Sequence, residues 1–242
     1  ADLSNTDLTN ADLTDANLSN ADLSGATFYN TILVGTTLSG ALLPAGVLPS
    51  GNGDNALAVF GSAVAVADMN GDSFDDVLVG APLEDVLSPI TVSWLKDAGQ
   101  IRIISGKDNS VLATLDGTVA GQRFGSAIAV VADQNADGVK DLVIGEPMAT
   151  VTISGKKAKA AGQVALYSGK DGAMIKLLAL GLKAGDQFGA AVTVGDDQNT
   201  GSLDLVVGAP YADVPGVSST GKPITLKDAG TVTVYTDLTS VP

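Results

Sequence analysis

Cysteine and histidine are both absent from the 242 residues. Without cysteine there is no disulfide, no thiolate metal site and no cysteine nucleophile. Without histidine the commonest general base and the commonest transition-metal ligand are gone. Aromatic residues make up only 4% of the chain. No apolar run approaches the length of a membrane span. Basic residues are few: 13 Lys and Arg face 27 Asp and Glu, a net charge of −14, which argues against binding nucleic acid through its phosphates. What the chain does have is 45% hydrophobic residues and 29 glycines. That is enough apolar matter for a core of Val, Ile, Leu and Ala, broken by turns, as in a β-rich protein. The chain opens at Ala1, without Met and without a signal peptide, as expected of a processed chain or of a piece of a longer one.

The first part repeats every five residues. Leu3, Leu8, Leu13, Leu18, Leu23, Phe28, Leu33, Leu38, Leu43 and Leu48 share one phase, and a small residue, Ala or Thr, stands two positions before nearly all of them. Asp or Asn fills most positions between. A period of five fits neither a helix nor a strand. A coil with four five-residue sides would turn every Leu and Ala inward and stack on the next coil through its backbone. The pattern resembles the pentapeptide-repeat family, A-[DN]-L-x-x, and weakens after Gly40 as Pro44 and Pro49 enter. The resemblance implies a right-handed quadrilateral β-helix over residues 1–45. At about twenty residues per coil only about two coils fit, so the segment is expected to stack on something else or to continue from preceding sequence.

A second, longer repeat follows. Phe60-Gly61, Phe124-Gly125 and Phe188-Gly189 stand 64 residues apart. Each precedes a short apolar strand, an Asp-rich loop, a second strand ending in "GAP" or "GEP", a variable insertion and a third strand. In the first two units a "SGKD" turn leads to a fourth strand. Four short strands per unit are the signature of a propeller blade. These landmarks resemble the FG-GAP repeat of the integrin α-subunit head. The expected fold class is thus all-β: a short β-helix, a linker or swapped strand over 46–56, and blades over 57–116, 117–180 and 181–242, the last incomplete. An orphan strand around Val47 and Leu48 is expected to pair with a third blade. Since three blades make too tight a ring within one chain, the expectation is head-to-tail contact with another copy, or membership of a longer propeller.

The Asp-rich loops carry the candidate site. In the second unit Asp133, Asn135, Asp137 and Asp141 occupy positions 1, 3, 5 and 9, with Gly138 at position 6 and the carbonyl of Val139 at position 7. In the first unit Asp68, Asn70, Asp72, Asp76 and the carbonyl of Phe74 take the same places, with Gly71 and Ser73 departing from the usual glycine at position 6. Alternate residues of a tight loop converge, and hard oxygen donors in this number suit Ca²⁺ better than Mg²⁺. The FG-GAP calcium loop, D-x-[DN]-x-D-G-x-x-D, has this form. The bland alternative is an Asp/Asn-rich turn whose side chains cap backbone amides. The third loop, aligned from Asp197 to Asp204, retains Asp197 and Asn199 but lacks a central Asp, and the expectation there is a metal-free turn. Alternation of hairpins puts the acidic loops and the "SGKD" turns on one face, and the insertions 83–98, 148–161 and 211–229 on the other. Phe60, Phe124 and Phe188 are expected to wedge between blades. Lys156, Lys157 and Lys159 are expected to form a solvated loop.

The expected function is a non-catalytic, calcium-stabilised, extracellular or cell-surface adhesive module. Its expected partners are itself, a cell-surface protein or a glycan. A lectin-like propeller is the alternative, with Trp94 and Tyr211 as the only aromatics in the insertions. A hydrolase is disfavoured by the absence of His, Cys and a G-x-S-x-G elbow. DNA mimicry by so short an acidic β-helix is disfavoured too.

Overall fold

The computed structural model describes residues 1–9, 11–13, 16–27, 41–42, 59–88, 93–196 and 201–236. Among them every regular element is β. The expected strand around Val47 and Leu48, and the chain after 236, lie outside the described residues.

The N-terminal segment coils as its period of five demands. Parallel bridges join Asp2 to Asp22, Asp22 to Leu42 and Asp7 to Thr27, one coil apart. The Leu3 and Leu23 amides donate to the carbonyls of Asp22 and Leu42, both at 2.7 Å. Ala21, Leu23 and Ala26 are buried, with Leu3, Leu8, Leu18 and Ala41 packed on them. Burying a leucine side chain fully contributes about 2 kcal/mol. The outward Asp and Asn are not merely solvated. Asp2, Asp7, Asn17 and Asp22 each accept from the amide two residues on, at 2.9–3.0 Å, turning the corner that each five-residue side requires.

Three blades follow. Blade 1 is an antiparallel sheet of β1 (Ala63–Ala67), β2 (Asp76–Ala81), β5 (Gln100–Ile104) and β6 (Val111–Asp116), in that order. Its insertion forms a separate hairpin, β3 (Val86–Ser88) with β4 (Ser93–Leu95). Blade 2 repeats this with β7 (Ala127–Val131), β8 (Asp141–Glu146), β11 (Gln163–Tyr167) and β12 (Met174–Leu180), and with the hairpin β9 (Val151–Ile153) and β10 (Lys156–Ala158). Blade 3 comprises β13 (Ala191–Gly195), β14 (Asp204–Ala209) and β17 (Thr231–Tyr235), with the hairpin β15 (Val214–Val217) and β16 (Pro223–Leu226). The first strands β1, β7 and β13 lie side by side, as inner strands of a propeller do.

Strand alternation divides each blade into a face toward the previous blade and a face toward the next. Ile101 and Ile103 of blade 1 pack with Phe124, Ile128, Leu142, Ile144 and Tyr167. Val164 and Leu166 of blade 2 pack with Phe188, Leu205 and Val207. Phe124 and Phe188 are therefore buried wedges, each set edge-on to a tyrosine of its own blade, Tyr167 or Tyr235. Glycine allows the blades to touch. A Cβ on Gly80 would stand 2.1 Å from the carbonyl oxygen of Gly125, and one on Gly145 would stand 2.0 Å from that of Gly189.

Candidate calcium loops and their neighbours

The loops 68–76 and 133–141 connect the first two strands of blades 1 and 2. Both are folded by their own polar side chains. Asp133 accepts from the amides of Asn135, Ala136 and Asp137 through Oδ1, and from that of Gly138 at 2.8 Å through Oδ2. Asp68 accepts likewise from Gly71, Asp72 and Ser73. Such wrapping needs left-handed backbone at positions 4 and 6. Loop 1 supplies Gly71 and Ser73 there, at φ 78° and 70°, while loop 2 supplies Ala136 and Gly138, at 62° and 89°. Each loop thus carries one glycine and one strained L-residue, in opposite order.

The remaining ligand candidates surround this knot. Asp72 Oδ1 accepts from the Phe74 amide and Asp137 Oδ1 from the Val139 amide, both at 2.9 Å. The amides of Asn70 and Asn135 point their nitrogens at Asp72 and Asp137, at 3.3 and 2.9 Å. Asp76 and Asp141, at position 9, are fully buried. Asp76 bridges the amides of Met69 and Gly106, and Asp141 those of Gln134 and Gly169. Position 9 therefore clamps the loop to the turn between the third and fourth strands, a role its place in the sequence did not reveal. The structure brings Asp68, Asn70, Asp72 and Asp76 into one loop, and Asp133, Asn135, Asp137 and Asp141 into the other. Among the described residues, however, no three carboxylates are already placed to hold a metal ion.

Electrostatics favour ionised carboxylates. Backbone hydrogen bonds, the strongest from Gly138, outweigh desolvation and hold Asp133 below the usual carboxylate range. Asp137 is lowered by the Val139 amide, the Asn135 side chain, Ser168 and Lys170. Desolvation raises Asp68, but the amides of Ser73, Gly71 and Asp72, with Lys140, outweigh it and lower it overall.

The "SGKD" turns lie on the same face as the acidic loops, as hairpin alternation requires. Ser168 Oγ donates to Asp137 at 3.1 Å, and Lys170 reaches the Asp137 carbonyl. In blade 1 the Lys107 ammonium lies 5.6 Å from the centre of the Phe74 ring. These lysines escaped the sequence reading, although the repetition of "SGKD" beside each acidic loop was the available signal.

The third loop corrects the alignment. Gly195 pairs with Asp204 as Ala67 pairs with Asp76, which makes Asp196, not Asp197, its first position. The Gly201 amide donates to Asp196 Oδ2 at 2.7 Å, five residues on, as Gly138 does to Asp133. The loop has nine residues like its neighbours, and the doubled Asp196-Asp197 misled the reading. In this register Gln198 and Thr200 hold positions 3 and 5. Residues 197–200 lie outside the described residues.

On the opposite face, Trp94 pairs with Leu87 across the β3–β4 hairpin and both are exposed. Lys156, Lys157 and Lys159 are exposed as well.

Residues 1–40 match the pentapeptide repeats, in eight copies, and residues 60–104 match the FG-GAP repeat. The chain carries both kinds of repeat. It is 39% identical to human integrin alpha-8 over 125 residues, covering 50% of the chain and 11% of the relative. It is 33% identical to mouse integrin alpha-IIb over 168 residues, covering 65% and 15%. It is 32% identical to bovine phosphatidylinositol-glycan-specific phospholipase D over 161 residues, covering 63% and 19%. The chain thus spans less than a fifth of the length of these relatives.

Proposed function

We propose that this chain is a non-catalytic, calcium-stapled module of an extracellular or cell-surface adhesion protein. The observation that carries the reading is the pair of oxygen-only loops on one face of successive blades. Each holds ionisable Asp at positions 1, 5 and 9 and an Asn at position 3. Asp68, Asn70, Asp72, Asp76 and the Phe74 carbonyl would hold one ion; Asp133, Asn135, Asp137, Asp141 and the Val139 carbonyl would hold the other. All donors are hard oxygens, which fits Ca²⁺. Bound calcium supplies positive charge that gathers these carboxylates into one rigid loop. The third loop, with Gln198 and Thr200 at the middle positions, offers neutral oxygens there and is not counted as a site.

The integrin alpha relatives support an adhesive, extracellular setting. The phospholipase D relative keeps an enzymatic whole protein in view, but the chain supplies neither histidine nor cysteine for one. A lectin-like reading is favoured by one observation, the exposed Trp94 face beside Leu87, on which a sugar could stack.

Isothermal calorimetry tests the calcium reading. Two ions should bind at millimolar calcium, and Asp72→Ala and Asp137→Ala should each remove one. A flat titration at millimolar calcium overturns it. Glycan-array binding lost in Trp94→Ala would favour the lectin instead.

A further inference from the structure

We infer that Met69 is a positioning residue that joins the two acidic loops, so that an ion bound in one tightens binding in the other. The inference rests on the calcium reading above and adds to it a coupling between the two sites.

Met69 is the second residue of the first loop, between the ligand candidates Asp68 and Asn70. Asn70 and Gly71 beside it are exposed, yet Met69 is only 5% exposed. Its amide donates to Asp76 Oδ2 at 2.8 Å. Its side chain belongs to the core cluster that holds Leu142, Ala165 and Tyr167 of blade 2. It also reaches the "SGKD" turn of that blade. A Cβ on Gly169 would stand 2.7 Å from the Met69 methyl carbon. The far end of the turn meets blade 1 again, since a Cβ on Gly172 would stand 3.3 Å from that of Leu115. The turn 168–172 thus rests on blade 1 at two points, and one of them is part of the first loop.

The same turn holds the second loop. Ser168 Oγ donates to Asp137 Oδ2, the Lys170 ammonium to the Asp137 carbonyl, and the Gly169 amide to Asp141 Oδ1 at 3.3 Å. The Lys140 carbonyl oxygen closes on Gly169, 2.0 Å from where a Cβ would stand. Positions 5, 8 and 9 of the second loop therefore take their placement from a turn seated on position 2 of the first. The line of contacts is continuous. Asp76 holds the Met69 amide, the Met69 side chain meets Gly169, and the Gly169 amide donates to Asp141. Gln134 fills position 2 of the second loop, where it is exposed and donates from Nε2 to the Ala132 carbonyl at 2.9 Å. The buried apolar arm is thus a property of the first loop and not of the motif.

The sense of the coupling follows from ordering. Asp68 and Asn70, once drawn onto an ion, fix the residue between them. The methionine side chain then fixes the turn, and the turn fixes Asp137 and Asp141. Binding at the second loop finds part of its ordering already done, which is positive cooperativity without a change of structure. Linkage makes the effect reciprocal. Direct repulsion between the two ions acts in the opposite sense and is screened by salt. The packing of Met69 on Gly169 does not depend on salt.

Calorimetry on the 242-residue chain, at physiological and at high salt, tests this. Asp72→Ala removes the first ion and should weaken the second about fivefold or more, as is typical of coupled sites. Asp137→Ala should weaken the first by the same factor. Met69→Gln, which copies the residue at this position of the second loop, should still bind two ions, but independently. In that background Asp72→Ala should leave the second site unchanged, and Met69→Leu should restore the coupling. A second measurement needs no calcium. In chelator, hydrogen exchange at the Gly169 and Gly138 amides should quicken in Met69→Gln and slow again in Met69→Leu, while β14 in blade 3 keeps its wild-type rates. Two ions that bind independently in the wild type overturn the coupling and leave the calcium reading standing, whereas a flat titration overturns both. Coupling that persists in Met69→Gln, or exchange that quickens uniformly along the chain, overturns the role of Met69.

Discussion

Lys170 donates from Nζ to the backbone carbonyl of Asp137 at 3.3 Å. Lys107 Nζ stands 4.0 Å from an Asp72 carboxylate oxygen in the equivalent place. Each acidic loop therefore has a cation of its own on a flexible stem, and an incoming cation must compete with it. Lys170→Met should bind calcium severalfold more tightly at the second loop, and should melt lower than wild type in chelator. Calorimetry and thermal melts, each with and without calcium, check both expectations.

Ser73 and Ala136 are the strained members of their loops. Ser73→Gly and Ala136→Gly should each stabilise the chain by about 1 kcal/mol, because glycine adopts the left-handed region without a steric penalty. Gly138→Ala should cost about as much. Denaturant unfolding monitored on Trp94 measures all three.

Acidity should act in two opposite senses. Asp133 and Asp137 are lowered in the fold, chiefly by the Gly138 and Val139 amides. Their stabilisation is present above the ordinary carboxylate pKa and lost as pH falls through the lowered values. Glu146 is raised by burial, against the hydrogen bonds it accepts from Tyr167 and Gln163. Its contribution is greatest below the ordinary glutamate pKa and fades as pH rises through the raised value. Glu146→Gln should therefore raise the melting temperature at neutral pH and flatten its rise between neutral and mildly acidic pH. Melting curves at a series of pH values decide this.

Inter-blade contact at glycine permits no side chain. Gly145→Ala pushes a methyl group into the Gly189 carbonyl and should destabilise by about 1–3 kcal/mol, the usual cost of overpacking. Chemical denaturation measures it.

The fold was legible because a period of five fits neither a helix nor a strand, and because the Phe-Gly landmarks recur at one spacing with short apolar strands between them. The loops were legible as far as their ligand types. Three things were not. Asp76 and Asp141 stand at the ninth position of the motif, and only the fold shows that they also accept from the amides of Gly106 and Gly169, about thirty residues on. The third loop was misaligned because two adjacent aspartates offer two starting points, and only the pairing of Gly195 with Asp204 chooses between them. The exchange of Gly71 and Ser73 for Ala136 and Gly138 looked like a defect of the first loop. In three dimensions it is the same pair of left-handed positions filled in reverse.

The contact of Gly80 with Gly125, repeated by Gly145 with Gly189, has a consequence for how such chains change length. Every blade brings one bare glycine and one capping carbonyl, so each unit is plug and socket at once. Duplicating or deleting a unit of 64 residues leaves the ends of the array unchanged. Blade count is then set by gene length and by ring closure, and no single blade encodes it.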